Sequence, residues 1–357
     1  MSPSPAAAPT RMPAEWEPHS ATWLAWPHAA ADWPGRFGPV PWAYAELVRI
    51  VAGGETVRLM VNDAAAERKV RRHLQVQGAD LSRVEFHRIP TDRVWTRDAG
   101  PIVVRRPGRR PSRAVAGFRF DAWAKYPDFQ RDARVAARAA RALGLPLLPV
   151  EQRGRPVVLE GGAIDVNGRG TLLATEECLL DPQVQVRNPG FGREDYQAVF
   201  RDLLGAPNTI WLGRGIAGDD THGHVDDLCR FVDARTIVLC REPDGGDPNH
   251  APLEENRERL EGARLEDGAR PEVVFLPMPA PLFLDGQRLP ASYANFYVAN
   301  AAVLVPTFND PGDRVALGIL GELFRDRPVI GVHAVDLVWG LGTLHCLSQQ
   351  EPALPGR

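Results

Sequence analysis

Four short islands of the chain combine reactive side chains with glycine. They are Trp95-Thr96-Arg97-Asp98-Ala99-Gly100-Pro101, Leu159-Glu160-Gly161-Gly162, Gly218-Asp219-Asp220-Thr221-His222-Gly223-His224-Val225-Asp226-Asp227 and Gly340-Leu341-Gly342-Thr343-Leu344-His345-Cys346. Cys346 follows a glycine-containing loop, where Gly342 would let a substrate approach the backbone closely. A cysteine nucleophile needs access, thiolate character and a separate acid–base group. The competing reading is a buried, inert thiol, and Cys178, Cys229 and Cys240, which lie beside apolar runs, are assigned to it. His224 and Asp226 form an H-x-D pair. On a strand, positions i and i+2 share a face, so both groups would meet one cleft. Imidazole titrates near neutrality and suits proton transfer. A solvated loop cluster would give the same letters. His222, His224 and Asp226 also spell the H-x-H-x-D of metallohydrolases; further ligands would have to come from other strands, and His250, His333 and His345 sit in no matching motif, so a metal site is the lesser reading.

Asp98 and Glu160 add acids at the ends of expected strands. Either one alone could be a turn residue accepting backbone N–H bonds. One thiol, one imidazole and three acids together are more specific. Several acids converging on a neutral molecule would be electrostatically wasteful. They suit a planar, permanently charged cation, and a guanidinium presents its N–H fork to carboxylates bidentately.

These islands need a scaffold. Short β-type runs recur at Thr56–Val61, Val84–Pro90, Ile102–Arg105, Ala114–Phe120, Val157–Val166, Thr171–Ala174, Thr209–Leu212, Thr236–Arg241, Val273–Pro277, Asn295–Ala299, Ala302–Pro306 and Val329–His333. Asn167-Gly168-Arg169-Gly170 reads as a hairpin turn. Helical spacing appears over Asp128–Leu143, Tyr196–Leu204, Leu253–Leu260 and Asp313–Phe324. The alternation predicts an α/β protein of similar units, with a suspected period of about 65–70 residues. No GxGxxG follows a strand and no GxxxxGK[ST] exists, so no nucleotide cofactor is expected.

The 357 residues carry 42 Lys plus Arg against 45 Asp plus Glu, a net charge of −3. That balance gives no reason to expect nucleic acid or an anionic membrane as partner. Residues 1–11 are rich in Pro, Ala and Ser and read as a disordered tail, followed by a single domain over 12–357. Four cysteines without a CxxC pair, and no signal-like or membrane-length apolar segment, read as a cytoplasmic protein with reduced thiols.

The chain resembles the agmatine deiminase branch of the peptidylarginine-deiminase-like family, within the guanidino-group-modifying (pentein) superfamily. The resemblance rests on MPAEWEPHSATWLAWP (Met12–Pro27), WTRDAGP, LEGGAIDVNGRGT, GDDTHGHVDDLCRF, YANFYVANAAVLVPTFND and LHCLSQQEP. It implies a pseudo-fivefold α/β propeller of ββαβ units around a central site, and a hydrolysis without metal or cofactor. Cys346 would be the nucleophile, His224 the general acid–base, and Asp98 and Asp226 the guanidinium clamps. Glu160 would face substrate or orient His224. Asp220 and Trp95 would help bind the substrate, with Trp23 and Trp123 as further pocket candidates. Asp219 and Asp220 would face the amine or form the turn that positions His224. The implied reaction converts agmatine to N-carbamoylputrescine and ammonia. Arginine or peptidyl-arginine deimination, a dihydrolase, an amidinotransferase and a non-catalytic guanidinium binder are the alternatives. A homodimer is a further implication. Two departures stand out. Gly340-Leu341-Gly342-Thr343-Leu344 replaces Gly-Gly-Gly-Asn-Ile before His-Cys, and Ala163 and Asp165 differ from the usual residues after LEG.

Overall fold

The computed structural model describes residues 10–108 and 111–354. Of the expected 1–11 tail, residues 1–9 lie outside that range. Arg11 is tied down: it forms an antiparallel bridge with Arg105, and its guanidinium binds Glu17.

Five small sheets share one plan, an antiparallel pair followed by a crossover to a parallel third strand. Ile102–Arg106 pairs with Ser112–Gly117 and then Leu147–Pro149. Asp165–Val166, Thr171–Thr175 and Asn208–Leu212 repeat the pattern. So do Cys229–Phe231, Thr236–Arg241 and Glu272–Pro277, then Tyr297–Val298, Val303–Thr307 and Val329–His333. In the remaining sheet the C-terminal strand Ser348–Pro352 runs antiparallel to His19–Ala25, which lies parallel to Thr56–Val61. The leading strands Ile102, Asp165, Cys229 and Tyr297 begin 63, 64 and 68 residues apart, close to the expected period.

Each crossover carries a helix. In Pro311–Leu323, Pro311 opens the first turn and Asp310 and Asp313 form a reciprocal capping box, satisfying amides that the helix leaves unpaired. The crossover between Thr171–Thr175 and Asn208–Leu212 reads as one helix, Tyr196–Leu204, in the sequence. It is built as Arg193–Val199 followed by a π-turn over Phe200–Leu204, which ends on Gly205 in the left-handed conformation. Asn167 makes the hairpin between Asp165–Val166 and Thr171–Thr175 by accepting three backbone N–H bonds, from Arg169, Gly170 and Thr171. Most of Val157–Val166 is not a strand. It holds a turn of 3-10 helix at Gly161–Ala163.

One feature recurs in every unit. Just before each leading strand the chain makes a tight turn: Thr96–Ala99 before Ile102, Gly161–Ala163 before Asp165, Val225–Asp227 before Cys229, and Leu344–Leu347 before Ser348. Ser292–Asn295 occupies the same place before Tyr297 through the bond from Asn295 N to Ser292 O. The first of these turns touches both the second and the fourth, and the second touches the third. Residues far apart in sequence therefore meet because they hold equivalent positions in repeated units.

Candidate active site

Those turns carry the islands. Asp98 lies in Thr96–Ala99, Glu160 caps Gly161–Ala163, His224 caps Val225–Asp227 with Asp226 inside it, and Cys346 sits in Leu344–Leu347. The expected common strand face for His224 and Asp226 is corrected. His224 precedes a 3-10 turn and Asp226 lies within it, and each side chain finds different partners.

A cavity of about 280 Å³ ends on Cys346 and Asp98, between walls that include Trp95, Trp123, Tyr126 and Trp339. That is at the small end for ligand pockets. Asp98 accepts hydrogen bonds from Trp123 Nε1 at 3.0 Å and from Gly162 N at 3.1 Å. His224 lies behind, with Nδ1 3.8 Å from Asp98 Oδ1 and Nε2 3.8 Å from Glu160 Oε2. A Cβ on Gly162 would stand 2.5 Å from His224 Nδ1, so only glycine permits this approach. Trp123 reaches Asp98 from a segment in which Ala122, Trp123 and Ala124 all have positive φ. Three left-handed non-glycine residues in a row are costly, and here they turn the indole onto the carboxylate.

The charges explain each group's protonation. Burial pushes Asp98 up to about 6; His224 opposes the rise, while Asp226 and Glu160 add to it. Burial also disfavours the imidazolium of His224, yet Asp98 and Glu160 overcome that and hold it well above its ordinary value. Glu160 is fully buried, which alone would raise it, but Arg187 at 3.0 Å holds it down at about 2. Burial, then Asp226, Asp227 and Asp98, push the Cys346 thiol well above its usual range. Before substrate binds, the thiol is therefore neutral and the imidazole charged. A cation placed among the acids would reverse the main charge penalty on the thiolate.

Several supporting residues were not picked out from the sequence. Asn295 donates from Nδ2 to Cys346 Sγ at 3.1 Å and to Asp227 Oδ1 at 2.9 Å. Its Oδ1 accepts from Thr343 Oγ1 at 2.6 Å and His345 N at 3.1 Å, so one amide sets the nucleophile's loop. His345 is sandwiched between Asp226 Oδ2 at 2.6 Å and Glu15 Oε2 at 2.8 Å. Burial raises Asp226, but His345 outweighs it and keeps the carboxylate ionised. Its Oδ2 lies 3.9 Å from Cys346 Sγ, while Oδ1 is buried without a partner. Cys178, read as inert from its apolar neighbours, lies within 4.8 Å of both His224 and Glu160.

The remaining candidates separate. Trp95 lines the cavity and presses on Gly342, where a Cβ would come within 2.6 Å of the indole; Gly342 is thus a packing position beside Cys346. Asp220 lines the cavity but is bonded to Lys125 and to Tyr126 Oη. Asp219 accepts from Gly223 N at 2.7 Å and His224 N at 3.0 Å, the turn-forming alternative. Glu160 does not line the cavity, and its free oxygen faces His224. Trp23 is fully buried and donates to Glu351, away from the site. Leu341, in the loop that departs from the family pattern, has φ +71°, where glycine would be unstrained. Among the described residues two donor groups approach metal-ligand spacing, Glu160–Cys178–His224 and Asp226–Asp227–Cys346. Neither unites the H-x-H-x-D residues, since His222 turns away to Asp181 at 2.9 Å.

The profile of the Porphyromonas-type peptidyl-arginine deiminase family matches residues 11–352. An agmatine deiminase of Stutzerimonas stutzeri is 35% identical, over 96% of this chain and 95% of its own. The solved agmatine deiminase of Enterococcus faecalis superposes with a TM-score of 0.86 at 27% identity, covering 96% of both chains. A substrate-bound cysteine-to-serine variant of C. jejuni agmatine deiminase superposes with a TM-score of 0.83 at 28% identity, again over 96% of each.

Proposed function

The chain belongs to the Porphyromonas-type peptidyl-arginine deiminase family, and we propose that it hydrolyses agmatine to N-carbamoylputrescine and ammonia. The observation that carries the reading is the shared cavity floor: a thiol and a carboxylate side by side under aromatic walls, backed by a charged imidazole.

The guanidinium enters between Asp98 and the unpartnered Oδ1 of Asp226. Its charge offsets the acids that suppress ionisation of Cys346, so substrate binding itself favours the thiolate. The central carbon is held at near-attack distance from the sulfur; the thiol proton passes to solvent as the sulfur attacks that carbon, giving a tetrahedral adduct. His224, already protonated, donates to the departing nitrogen, the C–N bond breaks and ammonia leaves. The remaining S-alkylthiouronium is a covalent amidino-cysteine. Neutral His224 then takes a proton from water, hydroxide adds to the same carbon, and collapse expels the sulfur, which takes up the hydroxyl proton as the thiol, and yields the ureido product. The route needs no metal and no cofactor.

The five repeated sheets, and the pairing of Ser348–Pro352 with His19–Ala25, support closure into a pseudo-fivefold propeller acting as one domain. A cytoplasmic, homodimeric enzyme completes the reading. Ammonia and ureido-product release from agmatine, measured with EDTA present, tests it. Turnover should persist in EDTA and vanish in Cys346→Ala. Turnover by that variant, or loss in EDTA, would refute it.

A further inference from the structure

The far end of the substrate needs its own recognition group, and the cavity narrows the choice. Three carboxylates line it: Asp32, Asp98 and Asp220. Asp98 stands on the floor beside Cys346 and already accepts two hydrogen bonds. Asp220 is neutralised by Lys125 and bonded to Tyr126 Oη at 2.6 Å. Asp32 alone keeps an oxygen, Oδ2, that is buried and without a hydrogen-bond partner. A buried, unsatisfied carboxylate oxygen is costly, and burial pushes Asp32 up to about 6 even with Arg93 nearby.

The cation beside it is already committed. Arg93 approaches Asp32 at 3.6 Å through Nε, while its NH2 group bonds Asp128 at 2.9 Å and its NH1 group the Asp128 carbonyl at 2.7 Å. One guanidinium shared by two carboxylates leaves this rim with a net charge of −1. An α-carboxylate arriving here would meet that charge and would have to strip Arg93 from Asp128. An ammonium meets an acceptor that lacks a donor. The aromatic walls between floor and rim suit a plain methylene chain.

We propose that Asp32 is the anchor for the substrate's terminal ammonium, and that Asp32 with the committed Arg93 selects an ω-amino guanidine over an α-amino acid. The inference rests on the agmatine reading above but is separable from it, because binding can be measured without turnover. In the Cys346→Ala background, calorimetry should show agmatine binding more tightly than n-butylguanidine, which lacks only the amine. Asp32→Asn should weaken agmatine by roughly ten- to hundredfold, the size of one charged hydrogen bond, and leave n-butylguanidine unchanged. Equal weakening of both ligands would mean a structural role and overturn the anchor, as would no weakening of either. Failure of agmatine to bind at all would overturn it as well. If the unaltered enzyme fails to turn agmatine over while the Asp32-dependent binding difference persists, the anchor stands and the catalytic proposal falls.

Discussion

Arg187→Met should leave His224 with a disordered support and the fold measurably weaker. Arg187 is fully buried at its side chain and spans three acceptors: Glu160 Oε1 at 3.0 Å, the Gln185 carbonyl at 2.9 Å and the Thr221 carbonyl at 2.5 Å. Removing it strands Glu160, whose other oxygen already lacks a partner. Breaking one side of a buried pair costs about 3–5 kcal/mol. With an unfolding entropy of roughly 2.1 cal/mol/K per residue, a chain of this length loses about 1.3 °C per kcal/mol, so Tm should fall by about 4–7 °C. The pH sign follows from Glu160, held at about 2 by Arg187 against the opposing effect of burial. A depressed carboxylate contributes stability that is fully present above its unfolded value of about 4.3 and is lost as pH falls towards 2. The unaltered protein should show that acid-side loss, and Arg187→Met should show less of it. Replacing both partners, Arg187→Met with Glu160→Gln, should restore part of the Tm, because no charge is left stranded. Calorimetric melts across pH settle the matter. A Tm change under 1 °C in the single variant, or a double variant less stable than the single, would refute the reasoning.

The acid limb of kcat/KM should lie near pH 6, because Asp98 and Asp32, both pushed there by burial, must ionise to receive a dication; Asp98→Asn should lower the rate severely and flatten that limb. Iodoacetamide should alkylate Cys346 slowly at pH 7 and faster at high pH, since burial and three acids suppress the free-enzyme thiolate, and a small guanidinium that leaves the sulfur exposed should accelerate the reaction at pH 7. Leu341→Gly should raise stability by up to about 1 kcal/mol by relieving the left-handed φ at that position, visible as an upward Tm shift; a lowered Tm would refute it.

The sequence made the reactive groups visible because each sits beside glycine in a distinctive island, and Cys346, His224, Asp98, Asp226 and Glu160 do meet. The strands Thr56–Val61, Thr236–Arg241 and Val329–His333 match the expected runs to the residue, since half or more of each is β-branched. The strand Ser348–Pro352 was illegible. It reads SQQEP, and all five residues are buried, so it has no hydrophobic alternation. Its polarity is matched by partners from elsewhere, as when Glu351 takes Arg58 and Arg113. Asn295, Arg187 and Glu15 were missed for a related reason: their importance lies in satisfying buried groups more than 25 residues away, and no local pattern encodes that. The strand reading of His224 and Asp226 failed because the H-x-D spacing fits a one-turn helix as well as a strand.

The most direct test of the central claim is rapid acid quench of the enzyme with agmatine, followed by peptide mass spectrometry. The account predicts a transient adduct on the peptide bearing Cys346, heavier by agmatine less ammonia, that decays as the ureido product appears and is absent from Cys346→Ser. Steady turnover with no adduct at any time, or an adduct on another cysteine, would contradict it.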